Sequence, residues 1–295
     1  MSLANLNRAI KNGLAFNFSG ETAAERSDYI FADREEEQQR LERQAKLFDP
    51  LTERLFQAAG LRPGMRVLDL GSGAGDVAML AAWLVGFDGC VIGVERDPAA
   101  VVAATARVKR AKLSNVRFVQ GDVQTLYGIE GGFDAVIGRL VLMYLPDPVA
   151  ALARATELLR PGGLVCFQEG DLAYDWAAPM TPLWTRMRAL YLETLNRARV
   201  APRMGLSLYS SFVAAGLPGP ELQLECAVGG DASDFAWGFA NVLIGVLPLM
   251  ERLGVVTAAD LEPDTLAERL LGDVLATDGI VISPPLVGAW THMRA

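Results

Sequence analysis

The sequence has very few of the residues that metal centres and disulfide frameworks require. Among its 295 residues are one histidine, His292, and three cysteines, Cys90, Cys166 and Cys226. Cysteines that are odd in number and far apart in the chain fit reduced thiols in a cytoplasm better than a disulfide framework or a zinc site. We therefore expect no metal and a cytoplasmic location.

The chain also lacks a basic cluster and a long apolar run. Its formal net charge is −8, whereas a nucleic-acid partner usually requires a basic face. No apolar run reaches the about 20 residues that a membrane span needs, and no basic region followed by an apolar stretch marks a secretory signal. With 51% hydrophobic residues, the chain can build one large domain with elaborations, or two. We expect neither nucleic acid nor a membrane as a partner.

A glycine turn follows the first apolar strand of the sequence. The run Val67–Leu70 leads into glycines at positions 71, 73 and 75. A backbone without Cβ atoms can turn tightly there and come close to a ligand. The nicotinamide fingerprint G-x-G-x-x-G would place its last glycine at position 76, where this chain has Asp76. A nicotinamide cofactor is therefore disfavoured.

Four more apolar segments alternate with helix-like segments, and each leads into a polar or charged residue. This alternation predicts a mostly parallel sheet with helices on both faces. Such sheets bind ligands outside the carboxyl ends of their strands. The predicted strands are residues 91–94, 116–120, 133–138 and 164–168, and the residues that follow them along this edge are Glu95, Asp122, Arg139 and Glu169.

These segments, taken in order, resemble the class I S-adenosylmethionine-dependent methyltransferases, and among them the bacterial small-molecule enzymes. The resemblance runs from Asp69 and the glycine turn to Arg160–Gly163 before the fifth strand, and covers about residues 45–230 well. It implies an α/β fold: a Rossmann-like, doubly wound, mostly parallel seven-stranded sheet with an antiparallel last strand, an N-terminal helical cap and helical insertions. It also implies S-adenosylmethionine as the cofactor.

The resemblance assigns cofactor contacts residue by residue. Asp69 would serve the ammonium group, Glu95 the ribose hydroxyls and Asp122 the adenine amine. Arg139 could bind the cofactor carboxylate, bind an acidic substrate group, or form a structural ion pair. The remaining expected cofactor contacts are Tyr29, Arg40 and Gln44 in the cap, Gly71, Ser72, Gly73 and Gly75 in the turn, and Arg96 and Val123 beside the adenine ring.

The sequence divides into four segments. Residues 1–60 are predicted as the cap, with a helix broken or kinked near Asp49–Pro50, and residues 61–170 as the cofactor-binding core. Residues 171–205 form a helical insertion in which Tyr174, Trp176 and Trp184 are candidates for substrate binding. Residues 206–295 complete the sheet, with strands at 221–228 and 286–293 and a helical insertion at 231–280. An apolar stripe over residues 3–14 could cap the site, pair two subunits into a homodimer, or stay mobile.

The proton acceptor of such a reaction is left open by the sequence. The catalytic candidates are Glu169, Asp171 and Tyr144, with Tyr174 as a further tyrosine. The two carboxyls could act as bases because an apolar pocket can raise the pKa of a carboxyl towards neutrality. Proximity without any base is an equal alternative. His292 lies on the last strand, whose antiparallel direction places it at the far edge of the sheet.

The resemblance implies transfer of a methyl group by in-line displacement, and we expect the acceptor to be a small, largely apolar molecule. No Asn/Asp-Pro-Pro-Tyr/Phe motif follows the fourth strand, which disfavours amide and base N-methylation. One alternative is an enzyme that binds the cofactor on this fold but catalyses cyclisation or rearrangement. A regulatory or assembly protein that binds the cofactor is another.

Overall fold

The computed structural model describes residues 47–175, 177–229 and 233–294. The predictions at Tyr29, Arg40, Gln44 and Trp176, and the apolar stripe over residues 3–14, lie outside these residues. The chain divides into two compact units. The larger unit comprises residues 49–171, 203–225 and 286–295, and the described part of the smaller unit lies within residues 47–48, 172–202 and 226–285.

A seven-stranded sheet forms the larger unit, with the strand order β3-β2-β1-β4-β5-β10-β7. Strands β1 to β5 are parallel, and β10 is antiparallel to both β5 and β7. This confirms the predicted Rossmann-like sheet with an antiparallel last strand. Its strands are β1 Arg66–Leu70, β2 Cys90–Glu95, β3 Val116–Gln120, β4 Phe133–Arg139, β5 Leu159–Gly170, β7 Glu221–Glu225 and β10 Leu286–His292.

Helices flank this sheet, and the residues at their first turns explain where two of them begin. Asp97 and Asp147 each accept a backbone N–H bond at a helix start, and each is followed by a proline, which is preorganised for the first helical position. Helix α1 continues through Asp49–Pro50, so the predicted break is not present within the described residues, and a kink there stays a prediction. The helices are α1 (residues 47–58), α2 Asp76–Val85, α3 Pro98–Arg110, α4 Pro148–Thr156 and α6 Met204–Ala214.

The pairing of β10 defines the two edges of the sheet. Leu286 pairs with Gly170 at one end and His292 with Leu164 at the other. His292 is exposed and lies at the edge opposite the carboxyl ends of the parallel strands, as predicted. The same pairing extends β5 to Gly170, so Glu169 lies within the strand and not beyond it, which corrects the predicted strand end at residue 168.

The smaller unit is mainly helical and includes a three-stranded sheet of order β6-β9-β8. The predicted single strand at 221–228 is wrong, because β7 ends at Glu225 and Val228–Gly229 pairs with β9 in this second sheet. The elements are α5 Pro182–Arg197, α7 Ser233–Arg252, α8 Ala258–Leu261, α9 Pro263–Leu275, β6 Ala177–Ala178, β8 Val228–Gly229 and β9 Ile280–Ile282. None of the helices in the described ranges is both long and apolar enough to span a bilayer.

Candidate active site

The glycine turn after β1 is closely packed on one side and open on the other. Gly71 has φ +65°, and a Cβ placed on it would lie 2.4 Å from Cγ2 of Val141. Gly73 has φ +51°, and a Cβ there would meet nothing within 4 Å. The backbone therefore turns against the loop after β4 and leaves space at the middle of the turn.

Glu95, the last residue of β2, holds this turn in place. Its Oε2 accepts a hydrogen bond from the Gly73 amide at 3.0 Å, and its Oε1 accepts from the amides of Arg96 at 2.8 Å and Asp97 at 2.9 Å. A carboxylate has about four lone-pair sites, so one site, on Oε2, remains for a further donor. The contact with Gly73 was not predicted from the sequence.

Arg107 of α3 also binds the glycine turn. Its Nη1 donates to the Ala74 carbonyl and its Nη2 to Oδ1 of Asp76, both at 2.6 Å. Asp76, which disfavoured the nicotinamide fingerprint, is thus paired with a cation from the next helix. The pattern of the sequence carries no signal for this contact, because a basic residue on a helix is ordinarily part of a solvated face.

Asp69, just before the turn, and Ser72, within it, each have a buried polar atom. Asp69 is 1% exposed, and neither its Oδ2 nor Ser72 Oγ has a hydrogen-bond partner. Burial raises the pKa of Asp69 well above its ordinary value, while the positive charge of Arg139 acts in the opposite direction. The Ala78 amide in the first turn of α2 also donates to this carboxyl.

Arg139, at the end of β4, belongs to a polar network on α1. Its side chain is 5% exposed. Its Nη1 lies 3.1 Å from Oδ1 of Asp49 and donates at 2.8 Å to Oγ1 of Thr52, which donates in turn to Oε1 of Gln168 at 2.7 Å. Of the three predicted roles, the structural ion pair is present in the structure. The two roles in ligand binding stay predictions.

Glu169 is completely buried at the end of β5. Its Oε1 accepts hydrogen bonds from the amides of Val141 at 2.9 Å and Leu142 at 2.7 Å, and its Oε2 has no partner. Burial raises the pKa of this carboxyl to about 7, against the opposing effect of the amides of residues 141–143. The neighbouring Asp171 is ion-paired, with both carboxyl oxygens 3.3 Å from the Arg203 guanidinium.

The other predicted residues of the larger unit lie around the same edge. Asp122 is exposed and its Oδ1 accepts from the Gln124 amide at 2.8 Å. Val123 is buried, Arg96 is exposed, and Tyr144 is half-buried in the 3₁₀ turn Leu142–Tyr144. These residues follow β3, β2 and β4, as the sequence predicted.

Two of the residues predicted to bind substrate, Tyr174 and Trp184, are described and lie in the smaller unit. Tyr174 is 46% exposed. Trp184 is 0% exposed, stacks on Phe239 with ring centroids 5.4 Å apart, and donates from Nε1 to the Leu270 carbonyl at 3.0 Å. Both the ring and the N–H of Trp184 are thus engaged within the protein, so the structure does not support Trp184 as a binding residue. Packing of an apolar core explains its position.

The residues that the structure describes include no group of three or more His, Cys, Asp or Glu side chains arranged to hold a metal ion.

Comparison with known proteins relates the chain to methyltransferases. Residues 61–198 match the family model described as a methyltransferase domain. The aklanonic acid methyltransferase DauC of Streptomyces sp. strain C5 is 34% identical over 122 residues, which are 41% of this chain and 56% of that protein. An arsenite methyltransferase of Aquipseudomonas alcaligenes is 35% identical over 119 residues, 38% of this chain and 34% of that protein. The chain thus spans little more than half the length of the first relative and about a third of the second.

The fold is also similar to that of a solved structure. The YcgJ protein of Bacillus subtilis superimposes with a TM-score of 0.50 at 16% identity, over 81% of this chain and 96% of that one. At this identity the likeness concerns the fold alone. Residues 61–198, which match the methyltransferase domain model, thus lie largely within a sheet of this strand order and carry the glycine turn.

Proposed function

We propose that the chain transfers a methyl group from S-adenosylmethionine to a small, largely apolar molecule by in-line displacement. The observation that carries the proposal is the pair of unpartnered atoms beside the glycine turn, Asp69 Oδ2 and Ser72 Oγ. They are two of only four buried side-chain N or O atoms without a partner in the described part of the chain. A buried polar group without a partner costs about 1–3 kcal/mol, so a ligand is expected to supply the missing bonds.

The groups at this edge fit the cofactor's methionine end. An ammonium group would satisfy Oδ2 of Asp69, directly or through water, and would favour the ionised form of this buried carboxyl. The open space at Gly73 lets the backbone come close to the ligand. Arg139 lies near enough to Asp69 for its charge to act on that carboxyl, and it would compensate the cofactor carboxylate.

The nucleoside end fits the next two strands. Glu95 retains one acceptor site on Oε2 for a ribose hydroxyl. Oδ2 of the exposed Asp122 would accept from the adenine amine, with Val123 and Arg96 beside the ring. These roles follow the family resemblance and the position of each residue at the carboxyl edge.

The chemistry requires alignment more than proton transfer. When bound, the cofactor supplies a methyl group that is already activated on a sulfonium. The protein must bind, orient and exclude water, and good alignment alone supplies roughly 7–11 kcal/mol of a barrier. Asp171 is engaged by Arg203, and Glu169 binds backbone amides, so we propose that proximity is the main contribution. Tyr144 stays a candidate for proton transfer.

Several observations support a small organic substrate. DauC is named for aklanonic acid, and the acidic chain offers little attraction to nucleic acids. The other relative is named for arsenite. Arsenite is a less favoured substrate for this chain because of where two of its three cysteines lie. Cys166 is buried in the middle of β5 and burial raises its pKa, while Cys90 begins β2 at the opposite edge of the sheet.

The direct test is calorimetry of the chain with S-adenosylmethionine and with its demethylated product. We expect both to bind with dissociation constants in the micromolar range. If neither ligand binds, the proposal is wrong. If the cofactor binds, mass spectrometry of a converted substrate shows either an added methyl group or, for the cyclisation alternative, an unchanged mass.

Replacing Glu95 with alanine is expected to weaken cofactor binding tenfold or more. The substitution removes the ribose acceptor and the anchor of Gly73, and a hydrogen bond to a charged group contributes about 1.5–3 kcal/mol. The control is Asp134→Ala, because Asp134 binds Arg160 and the Arg66 amide at the amino ends of β4 and β1, and should not alter affinity. Equal affinity of the Glu95 variant and the wild type would show that Glu95 does not bind the ribose.

A further inference from the structure

We propose that Glu169 is a positioning residue that holds the loop of residues 140–144 against the glycine turn, and is not the base that takes a proton from the substrate. The proposal rests on the proposed function only where it concerns cofactor affinity. The contacts that it invokes lie within the larger unit of the chain.

Three successive amides fix this loop to β5. The Leu140 amide donates to the backbone carbonyl of Gln168 at 2.8 Å. The next two, of Val141 and Leu142, donate to Oε1 of Glu169, which therefore takes the place of a backbone acceptor. Leu140 has φ +52°, a left-handed conformation that a residue other than glycine keeps only when its surroundings enforce it.

Val141 transmits the position of the loop to the glycine turn. Its side chain is 7% exposed and lies over both Gly71 and Gly138. A Cβ on Gly71 would be 2.4 Å from its Cγ2, and a Cβ on Gly138 would be 3.0 Å from its Cγ1. A shift of the Val141 backbone would therefore move the side chain that packs directly on the turn.

The hydrogen bonds of Glu169 favour an anchor over a base. A general base must lie within hydrogen-bond reach of the proton that it abstracts, and Oε1 of the buried Glu169 side chain is already held by two backbone amides. Helix α6 lies directly on its backbone, since a Cβ on Gly205 would be 2.7 Å from the Glu169 carbonyl oxygen. With Oε1 bound to two amides, Oε2 is the oxygen that would carry the proton of the neutral acid.

The test compares Glu169→Ala with Glu169→Gln by amide hydrogen exchange, resolved at single residues by NMR, in the chain without added ligand. In the alanine variant we expect the amides of Val141 and Leu142 to exchange at least tenfold faster. Leu140 is an internal control, because its acceptor is a backbone carbonyl that neither substitution removes. Glutamine should restore the protection, since its side-chain oxygen can accept the same two bonds.

Cofactor affinity and turnover then separate anchoring from base catalysis. Anchoring predicts that alanine weakens binding of the demethylated cofactor at least fivefold and that glutamine largely restores both affinity and turnover. If Glu169 is instead the base, both variants should lose turnover equally while their affinity for the cofactor is unchanged. This result would overturn the proposal. Unchanged exchange at Val141 and Leu142 in the alanine variant would overturn it as well.

A second variant and the exchange measurement by itself keep the role of Glu169 testable in two further cases. If the alanine variant does not fold, Glu169→Asp replaces it, because a carboxylate one methylene shorter cannot keep both bonds yet remains a base. Rapid exchange at Val141 and Leu142 then supports the anchor, and normal exchange contradicts it. If the wild type binds no cofactor, the proposed function fails, but the exchange measurement still tests the anchor.

Discussion

Cofactor binding by the Gly71→Ala variant is expected to be about 10²-fold weaker than that of the wild type. A Cβ on Gly71 would lie 2.4 Å from Cγ2 of Val141, at a backbone φ of +65°. Overpacking costs typically about 1–3 kcal/mol, and this cost is relieved only if the turn moves away from Val141 and out of its binding position. About 2.7 kcal/mol corresponds to a hundredfold change in affinity.

Neither partner of this clash can move without disturbing the proposed site. Val141 is held through its amide by Glu169. A shift of the turn would break the contact of Gly73 with Glu95. The strain should therefore appear as lost affinity, measured by calorimetry with the demethylated cofactor.

Gly64→Ala is the matched control for backbone strain. Gly64 also has a positive φ, +84°, but a Cβ there would meet no atom within 4 Å, and it precedes the amino end of β1. This variant should lose some stability and keep its affinity. If the two variants bind the cofactor equally well, the packing of Val141 on Gly71 has no role in binding.

Glu169→Gln is expected to become more stable than the wild type as the pH rises. Burial raises the pKa of Glu169 from 4.5 to about 7 in the folded protein, so the folded state favours the protonated acid. The stabilisation from this carboxyl is complete below pH 4.5 and is lost as the pH rises through about 7. Glutamine resembles the neutral acid at every pH and loses nothing.

We compare the free energy of unfolding of the variant with that of the wild type. Between pH 5 and pH 8 this difference should shift by about 2–3 kcal/mol in favour of the variant, since one pKa unit corresponds to about 1.4 kcal/mol. Urea unfolding of the chain without ligand at several pH values measures it. Glu157→Gln is the control for replacing a glutamate by glutamine, because that side chain is 65% exposed. Parallel curves for Glu169→Gln and the wild type would mean that Glu169 stays ionised throughout the range.

The mostly parallel sheet, the glycine turn and the edge at which polar residues meet could be predicted from the sequence. Each depends on local features: an apolar run that forms a strand, glycines that permit a tight turn, and an alternation that implies parallel strands. The far position of His292 followed from the strand direction that the family resemblance implies, and the pairing of β10 confirms it.

The partners of the charged residues at this edge were decided only by the tertiary structure. Arg139 pairs with Asp49 across 90 positions, Arg107 binds Asp76 across 31, and Glu169 binds the Val141 amide across 28. A carboxyl at the end of an apolar strand has the same sequence signature whether it faces a substrate or a neighbouring loop. What separates the two is burial, which sets its pKa, and the supply of backbone donors, which exists only once β4 and β5 lie side by side.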